Sequence, residues 1–305
     1  MDVFDGVPEE AARNLRGAGA DAVRELLWRT YLRYGRTLES DPVFEADWDL
    51  LVVLDACRAD LWASVVDGDT FPVGSSRISP GGTSTEWLSA TFGEADPATL
   101  SAVGYVTANP YSEAHVDGSA LGHLDEVWRD GWSDDLGTTP PRPVTDAAIR
   151  AGRETAASRL VVHYMQPHFP PVAGEWAGRD GMELATFGDE GLSVWEDLRF
   201  GRRSTADAWA ASRRNLVAVL EDVRLLLRNV DADRVVVTAD HGNAFGERYL
   251  WGHAGGLALR ALREVPWAVT TATDEHTHAP DGPDRSAVDD VDADVERRLR
   301  DLGYR

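Results

Sequence analysis

VVVTADHGNAFGERYLWGHAGG, residues 235–256, is the stretch whose reading decides the fold. Val235, Val236, Val237 and Thr238 are β-branched, which suits a strand buried in a pleated sheet, and Gly242 marks its end. Such a strand delivers Asp240 and His241 side by side at its C-terminal tip, where open α/β sheets place their ligands. A carboxylate beside an imidazole offers one hard oxygen and one borderline nitrogen, a natural pair for a divalent metal. His253 follows on a Gly-rich loop that can fold back over the tip.

Working outward, LLVVLD (50–55) is a continuous apolar run ending in an acid, the pattern of a buried parallel strand. Further strands are predicted at 102–107, 160–165 and 234–239, and EVPWAVTTA (264–272) is expected to close the sheet. Helices are predicted near 59–66, 84–92, 144–158 and 204–228. Strands alternating with helices imply an α/β fold, a mainly parallel central sheet with helices on both faces. Its strand tips share one edge, so Asp55 is expected to meet Asp240 and His241 there. The organisation expected is a basic helical segment at 1–45, an α/β catalytic domain at 46–273, and an acidic linker with a terminal helix at 274–305. The irregular stretches 108–143 and 166–203 read as binding loops, with Trp128, Trp132, Trp176 and Trp195 available to line them.

SPGGTSTEWLSATF (79–92) places a turn before a helix, with Thr83 at the N-cap. Unpaired N–H groups and the helix dipole favour negative charge at that point. Read alone, Thr83 is an ordinary cap. A hydroxyl there bound to a metal would instead be a nucleophile for phosphorus or sulfur. In HYMQPHFPP (163–171), Pro167 and Pro170 stiffen the exit from a strand and hold His168 above the sheet edge, in reach of a transferred group or a leaving oxygen. Asn109 is a further candidate for contacting a bound ester.

TADHGNAFGERYLWGH resembles the late metal-binding motif of the alkaline phosphatase-like superfamily, in its sulfatase-like and phosphotransferase-like branches. DACRAD (55–60) is similar to that family's motif after the first strand, whose acid is a metal ligand. GGTSTEW is similar to its Thr-Ser nucleophile turn, with Ser84 or Thr85 as alternatives to Thr83. HYMQPHFPP resembles a sulfatase-like pattern, with Gln166 at an Asp position. The resemblance implies an alkaline phosphatase/sulfatase-like fold and one divalent metal (Mn, Zn or Mg) on Asp55, Thr83, Asp240 and His241. Thr83 would be the nucleophile, assisted by His168 and His253, with His253 on the substrate or on a second metal. Asp274 and His278 lie after the Asp-His strand and read as a solvated tail.

Departures from the family pattern bear on subtype. Ala56 stands where sulfatases often carry a second Asp. No Cys or Ser followed by x-Pro-x-Arg surrounds residues 79–92, and the chain has no Lys. Formylglycine chemistry is therefore not expected. The reading favoured is a metal-dependent hydrolase or transferase of phosphate or sulfate esters. Its rivals are a sulfatase using an unmodified hydroxyl and a non-catalytic binding protein that keeps the fold.

Composition bounds the partners. The formal charge is −22 over 305 residues, and all 30 basic residues are Arg. A chain this acidic excludes nucleic acid as substrate and points to a small-molecule, glycan or lipid ester. The acid excess without Lys resembles proteins of salt-loving archaea. One Cys, no long apolar run and no signal pattern lead to the expectation of a cytoplasmic protein without a transmembrane segment. Residues 9–36 carry a helical pattern with Leu15, Val23, Leu26, Leu27, Tyr31 and Leu32 as apolar candidates. From residue 11 on, only Asp21 and Glu25 oppose its six Arg. Such a helix either contacts a partner or membrane surface, or packs on its own domain with its charges in water.

Overall fold

The computed structural model describes residues 19–178 and 194–282. Its central sheet is built from β1 (Leu50–Leu54), β2 (Ser75–Ile78), β3 (Val103–Thr107), β4 (His123–Glu126), β5 (Arg159–Tyr164) and β6 (Ala232–Thr238). After a small antiparallel ribbon, β7 (Ala244–Phe245) with β8 (Trp251–Gly252), it is completed by β9 (Glu264–Ala272). The spatial order is β2-β9-β6-β1-β5-β3-β4. β1 runs parallel to both neighbours, with Val52 opposite Val162 on one side and Val237 on the other. The tips of β1, β5 and β6 therefore share one edge.

The sheet is mostly parallel, as expected, but β9 does not close it. β9 runs antiparallel to β6, and β2 pairs antiparallel on its outer side. β2 reads SSRI and β4 reads HLDE, edge strands without an apolar run to announce them.

Each face is covered because β1 is apolar at every position and its side chains alternate. Leu50, Val52 and Leu54 share one core with α3 (Pro141–Glu154) and α4 (Thr205–Leu227), after α1 (Ala20–Tyr34) and α2 (Ser84–Phe92) in chain order. Leu51 and Val53 share the other with Trp87, Leu88 and Phe92 of α2. Truncating a buried side chain such as Leu220 to Ala would cost about 2–5 kcal/mol. Pro141 opens α3 in its first turn, where its missing N–H loses nothing, and Ser204 caps α4 by accepting from Asp207 N.

Two expectations change here. Asp274 and His278 are not a solvated tail. Arg153 of α3 holds Asp274 through two hydrogen bonds of 2.8 Å, and His278 Nε2 lies 2.6 Å from Asp146 Oδ1 on the same helix. The segment 108–143 is also not one irregular loop, since it contains β4 and two short helices, Ser112–His115 and Trp128–Gly131. The expected helix near 290–302 lies outside the described residues. Among the described residues, no helix is long and apolar enough to cross a membrane.

Candidate functional site

Three strand tips and one helix start meet at the carboxyl edge of the sheet. Asp55 follows β1 directly, and the next residue, Ala56, takes a left-handed φ of 60°. That turn aims the Ala56 N–H at Asp240 Oδ1, 3.0 Å away, and His241 N donates to the same oxygen at 2.7 Å. Asp240 Oδ2 and Asp55 Oδ1 have no hydrogen-bond donor, although both residues are fully buried. His241 Nδ1 donates to Gly242 O at 3.0 Å, which leaves the Nε2 lone pair facing inward. From Nε2, Asp55 Oδ1 and Asp240 Oδ2 are each 3.5 Å away.

The hydroxyl in this cluster belongs to Ser84. Its Oγ lies 3.2 Å from Asp55 Oδ2 and 3.3 Å from His241 Nε2. Thr83 is the helix N-cap, as the sequence predicts, but its Oγ1 accepts from Glu86 N at 3.3 Å and lies 3.0 Å from Thr85 Oγ1. A cap side chain must turn back toward its own helix. The first residue inside the helix is therefore the one free to face the sheet edge.

Donors spaced 3.2–3.5 Å apart match two ligands on one cation with bonds of about 2 Å. Two buried carboxylates with undonated oxygens are costly unless a positive charge sits between them. Asp55, Ser84, Asp240 and His241 thus fit a divalent cation, and the mixed oxygen and nitrogen set suits Zn, Mn or Mg. Without a cation, burial and then the neighbouring Asp240 raise the Asp55 carboxyl well above the usual range. Burial alone would also raise Asp240, but its interactions with His241 and His163 and the backbone N–H donors on Oδ1 outweigh it and hold Asp240 low.

His168 and His253 stand half-buried on the open side. The His253 ring centre is 4.7 Å from that of His241 and 5.2 Å from that of His168. His168 Nδ1 is tied to Phe169 O at 2.5 Å and His253 Nδ1 to Asn243 Oδ1 at 2.9 Å. Each therefore presents an Nε2 lone pair. Burial, then the neighbouring His241 ring, pushes His168 down to about 4 and His253 well below its ordinary value.

Some supporting residues were read in another role, and some not at all. Asn109 Nδ2 donates to Asp55 Oδ2 at 3.0 Å, which makes it a holder of the acid in place of the ester contact expected. His163 lies beneath Asp240, 3.7 Å from Nε2 to Oδ2, with its Nδ1 on the Tyr105 hydroxyl at 2.9 Å. At 3.7 Å that contact is electrostatic, beyond a hydrogen bond. Glu86 accepts from Gly82 N at 2.8 Å and Gly256 N at 2.5 Å, joining the turn before α2 to the His253 loop. The Thr83-x-x-Glu86 spacing was its signal, a capping box diverted to a second loop. Gln166 faces away, donating to Thr139 O at 3.0 Å. Arg58 is neutralised by Asp60 and Glu247, each at 2.6 Å. Trp195 packs on Gly252 and Phe169 beside the two histidines, whereas Trp128 bonds Ser112 elsewhere.

No protein-family model matches the chain, and no curated protein matches it. Among solved structures it is similar to the soluble domain of lipooligosaccharide phosphoethanolamine transferase A from Neisseria meningitidis. The identity is 12% over 75% of this chain and 77% of that one, with a TM-score of 0.51. Against the integral membrane form of that transferase the identity is 14% and the TM-score 0.50, covering 79% of this chain and 51% of that chain. This chain thus spans about half the length of that protein. A protein of the alkaline phosphatase superfamily from Vibrio parahaemolyticus is 11% identical over 86% of this chain and 72% of that one, with a TM-score of 0.41. At such identities the first two comparisons speak for fold alone. The chain has an alkaline phosphatase/sulfatase-like α/β fold, as its motifs implied.

Proposed function

We propose that the protein is a metal-dependent hydrolase or transferase of phosphate esters, with sulfate esters as the second choice, and that Ser84 is its nucleophile. The observation that carries this reading is the Ser84 hydroxyl, 3.2 Å from Asp55 and 3.3 Å from His241 at the start of a nine-residue helix. A retired site has no physical need for a buried hydroxyl among two carboxylates and an imidazole lone pair.

Asp55, Asp240, His241 and Ser84 would hold the cation. When bound, it would acidify the Ser84 hydroxyl and offset the charge of the ester oxygens. Ser84 gives up its hydroxyl proton to solvent as its Oγ attacks phosphorus. The bond to the leaving alcohol oxygen breaks, and that oxygen takes a proton from solvent, so protons balance. The first-turn N–H groups of α2 offer partial positive charge to the equatorial oxygens. The ester left on Ser84 is resolved by water or an acceptor alcohol, which gives its proton to Nε2 of His253 or His168. Both rings are neutral at pH 7 and tied at Nδ1, so they enter that step as acceptors. Phosphate is favoured over sulfate because the formylglycine signature and the sulfatase Lys are absent from the sequence.

Elemental analysis of the purified chain, paired with hydrolysis of aryl phosphate mono- and diesters and an aryl sulfate, tests this. About one metal per chain with phosphate-ester turnover, lost together in Asp240→Ala, is the expected result. A folded chain with neither metal nor turnover would leave the binding-protein reading in its place.

A further inference from the structure

An amphipathic helix on a soluble domain turns its apolar stripe inward. α1 does the reverse. Val23, Leu26, Leu27, Tyr31 and Tyr34 recur at helical spacing along one face and are 50, 54, 65, 50 and 81% exposed. The face that docks carries Ala22, Glu25 and Leu32. Leu32 joins Ala244, Leu250 and Leu262, while Glu25 is buried between Arg29 and Arg199. A helix that buries a carboxylate and leaves two Leu and two Tyr in water has a surface adapted to something outside the chain.

We propose that this stripe docks α1 on the surface of a lipid bilayer carrying anionic headgroups. Charge is the first argument. The chain as a whole is strongly acidic, yet Arg24 and Arg33 are exposed on α1, Arg36 is exposed two residues past its end and Arg248 is exposed over Trp28, opposed on the helix only by Asp21 and Glu25. Arg24 is paired with Asp21, but Arg36 has no ionic partner among the described residues. This is a face that an anionic surface attracts, on a body that such a surface otherwise repels. A second copy meeting it about a twofold axis would bring these arginines toward their own counterparts.

Size is the second argument. The stripe runs about 18 Å along the helix and presents five side chains. That falls short of the roughly 800 Å² per partner of a stable protein interface, but suffices for an interfacial helix. The two tyrosines at its C-terminal end suit the headgroup level, where an apolar ring and a wet hydroxyl are both satisfied.

Docking would also orient the candidate site. Ala258 N donates to Leu32 O at 3.0 Å, Arg33 donates to Gly255 O at 2.9 Å, and the Arg248 guanidinium lies 4.3 Å over Trp28. The helix is thus fixed to the strip that carries His253. This inference concerns location and does not rest on the ester chemistry.

The test is flotation of the full chain with vesicles of phosphatidylcholine alone and with added phosphatidylglycerol. Binding is expected with the anionic vesicles. The double substitution Leu26→Asp/Leu27→Asp should cut the bound fraction about tenfold or more, with far-UV circular dichroism unchanged. Val217→Asp, equally exposed on α4, should leave binding intact. Leu27→Cys carrying an environment-sensitive dye should shift to the blue on anionic vesicles, and the sole native thiol, Cys57, is buried and silent. The proposal falls if the chain floats with neither composition, or if the double variant floats as well as the parent. It also falls if the dye is already blue-shifted and vesicles leave it unchanged, because the chain's own residues then cover the stripe. A dimer that the double substitution dissociates, without vesicle binding, would assign the stripe to a second copy.

Discussion

β1 and β6 lie side by side, and each has an Asp near both ends. At the amino edge, Asp49 and Asp233 stand in water, and Asp49 Oδ2 accepts from Arg234 N at 2.8 Å. At the carboxyl edge, Asp55 and Asp240 are buried, each with one undonated oxygen. The same residue type on the same two strands therefore means opposite things. In water an acid costs the fold little and signals little; sealed from water beside a second acid, it calls for a cation.

Substitutions at the two edges should separate most sharply. Asp240→Asn should abolish metal content and lower turnover by about a thousandfold or more, whereas Asp233→Asn should leave both within about twofold. Equal losses at both edges, measured by elemental analysis and steady-state kinetics, would break the comparison. Ser84→Ala should lower kcat by about a thousandfold in a folded chain. Thr83→Ala should cost only the cap, about 1 kcal/mol, read as a modest fall in Tm with turnover retained. Inverted results would return the nucleophile to Thr83. Chelation should lower the stability of the wild-type protein by about 3 kcal/mol if the cation is held at about a hundred times its Kd, and should not touch Asp240→Asn.

The pH dependence carries a definite sign. His168 is held down to about 4 in the folded protein, chiefly by burial, against an ordinary value of 6.5. The unfolded chain then binds more protons across that interval, so this stability is present above about pH 6.5 and is lost as the pH falls toward about 4. His168→Gln should flatten that part of the Tm profile. The smallest effect belongs far from the sheet edge. Arg153→Ala should loosen the Asp274 anchor for about 1 kcal/mol and leave turnover unchanged.

Where burial and chemistry coincide in one short stretch, the sequence was legible. β1 reads as apolar from end to end and stops at an acid, so both its place inside the sheet and the position of Asp55 could be inferred. β9 was legible as a strand but not in direction, because an apolar run carries no sign of parallel or antiparallel pairing. The turn that brings a hydroxyl to the carboxylates was legible, but not which of its residues does so. Whether Thr83 or Ser84 faces the carboxylates depends on which hydroxyl caps the helix, and three consecutive hydroxyl residues leave that choice to packing. The partners of Asn109, His163 and Glu86 could not be read, because each is brought close only by the fold. The orientation of α1 was equally hidden. Its apolar periodicity says that one face is special and does not say what that face meets.

The strand order has a bearing on how the site comes into being. β1 is the first strand made, yet both its neighbours, β5 and β6, come much later in the chain. The hydrogen bond from Ala56 to Asp240 spans 184 residues, and the Ser84–His241 contact spans 157. Until β6 has left the ribosome, β1 has no edge to join on that side, and Asp55 waits without the residues that would share its cation. Contacts this distant form slowly, since chain entropy must be given up before they return anything. The pocket that would hold a cation is therefore complete only once the last of these distant strands has docked.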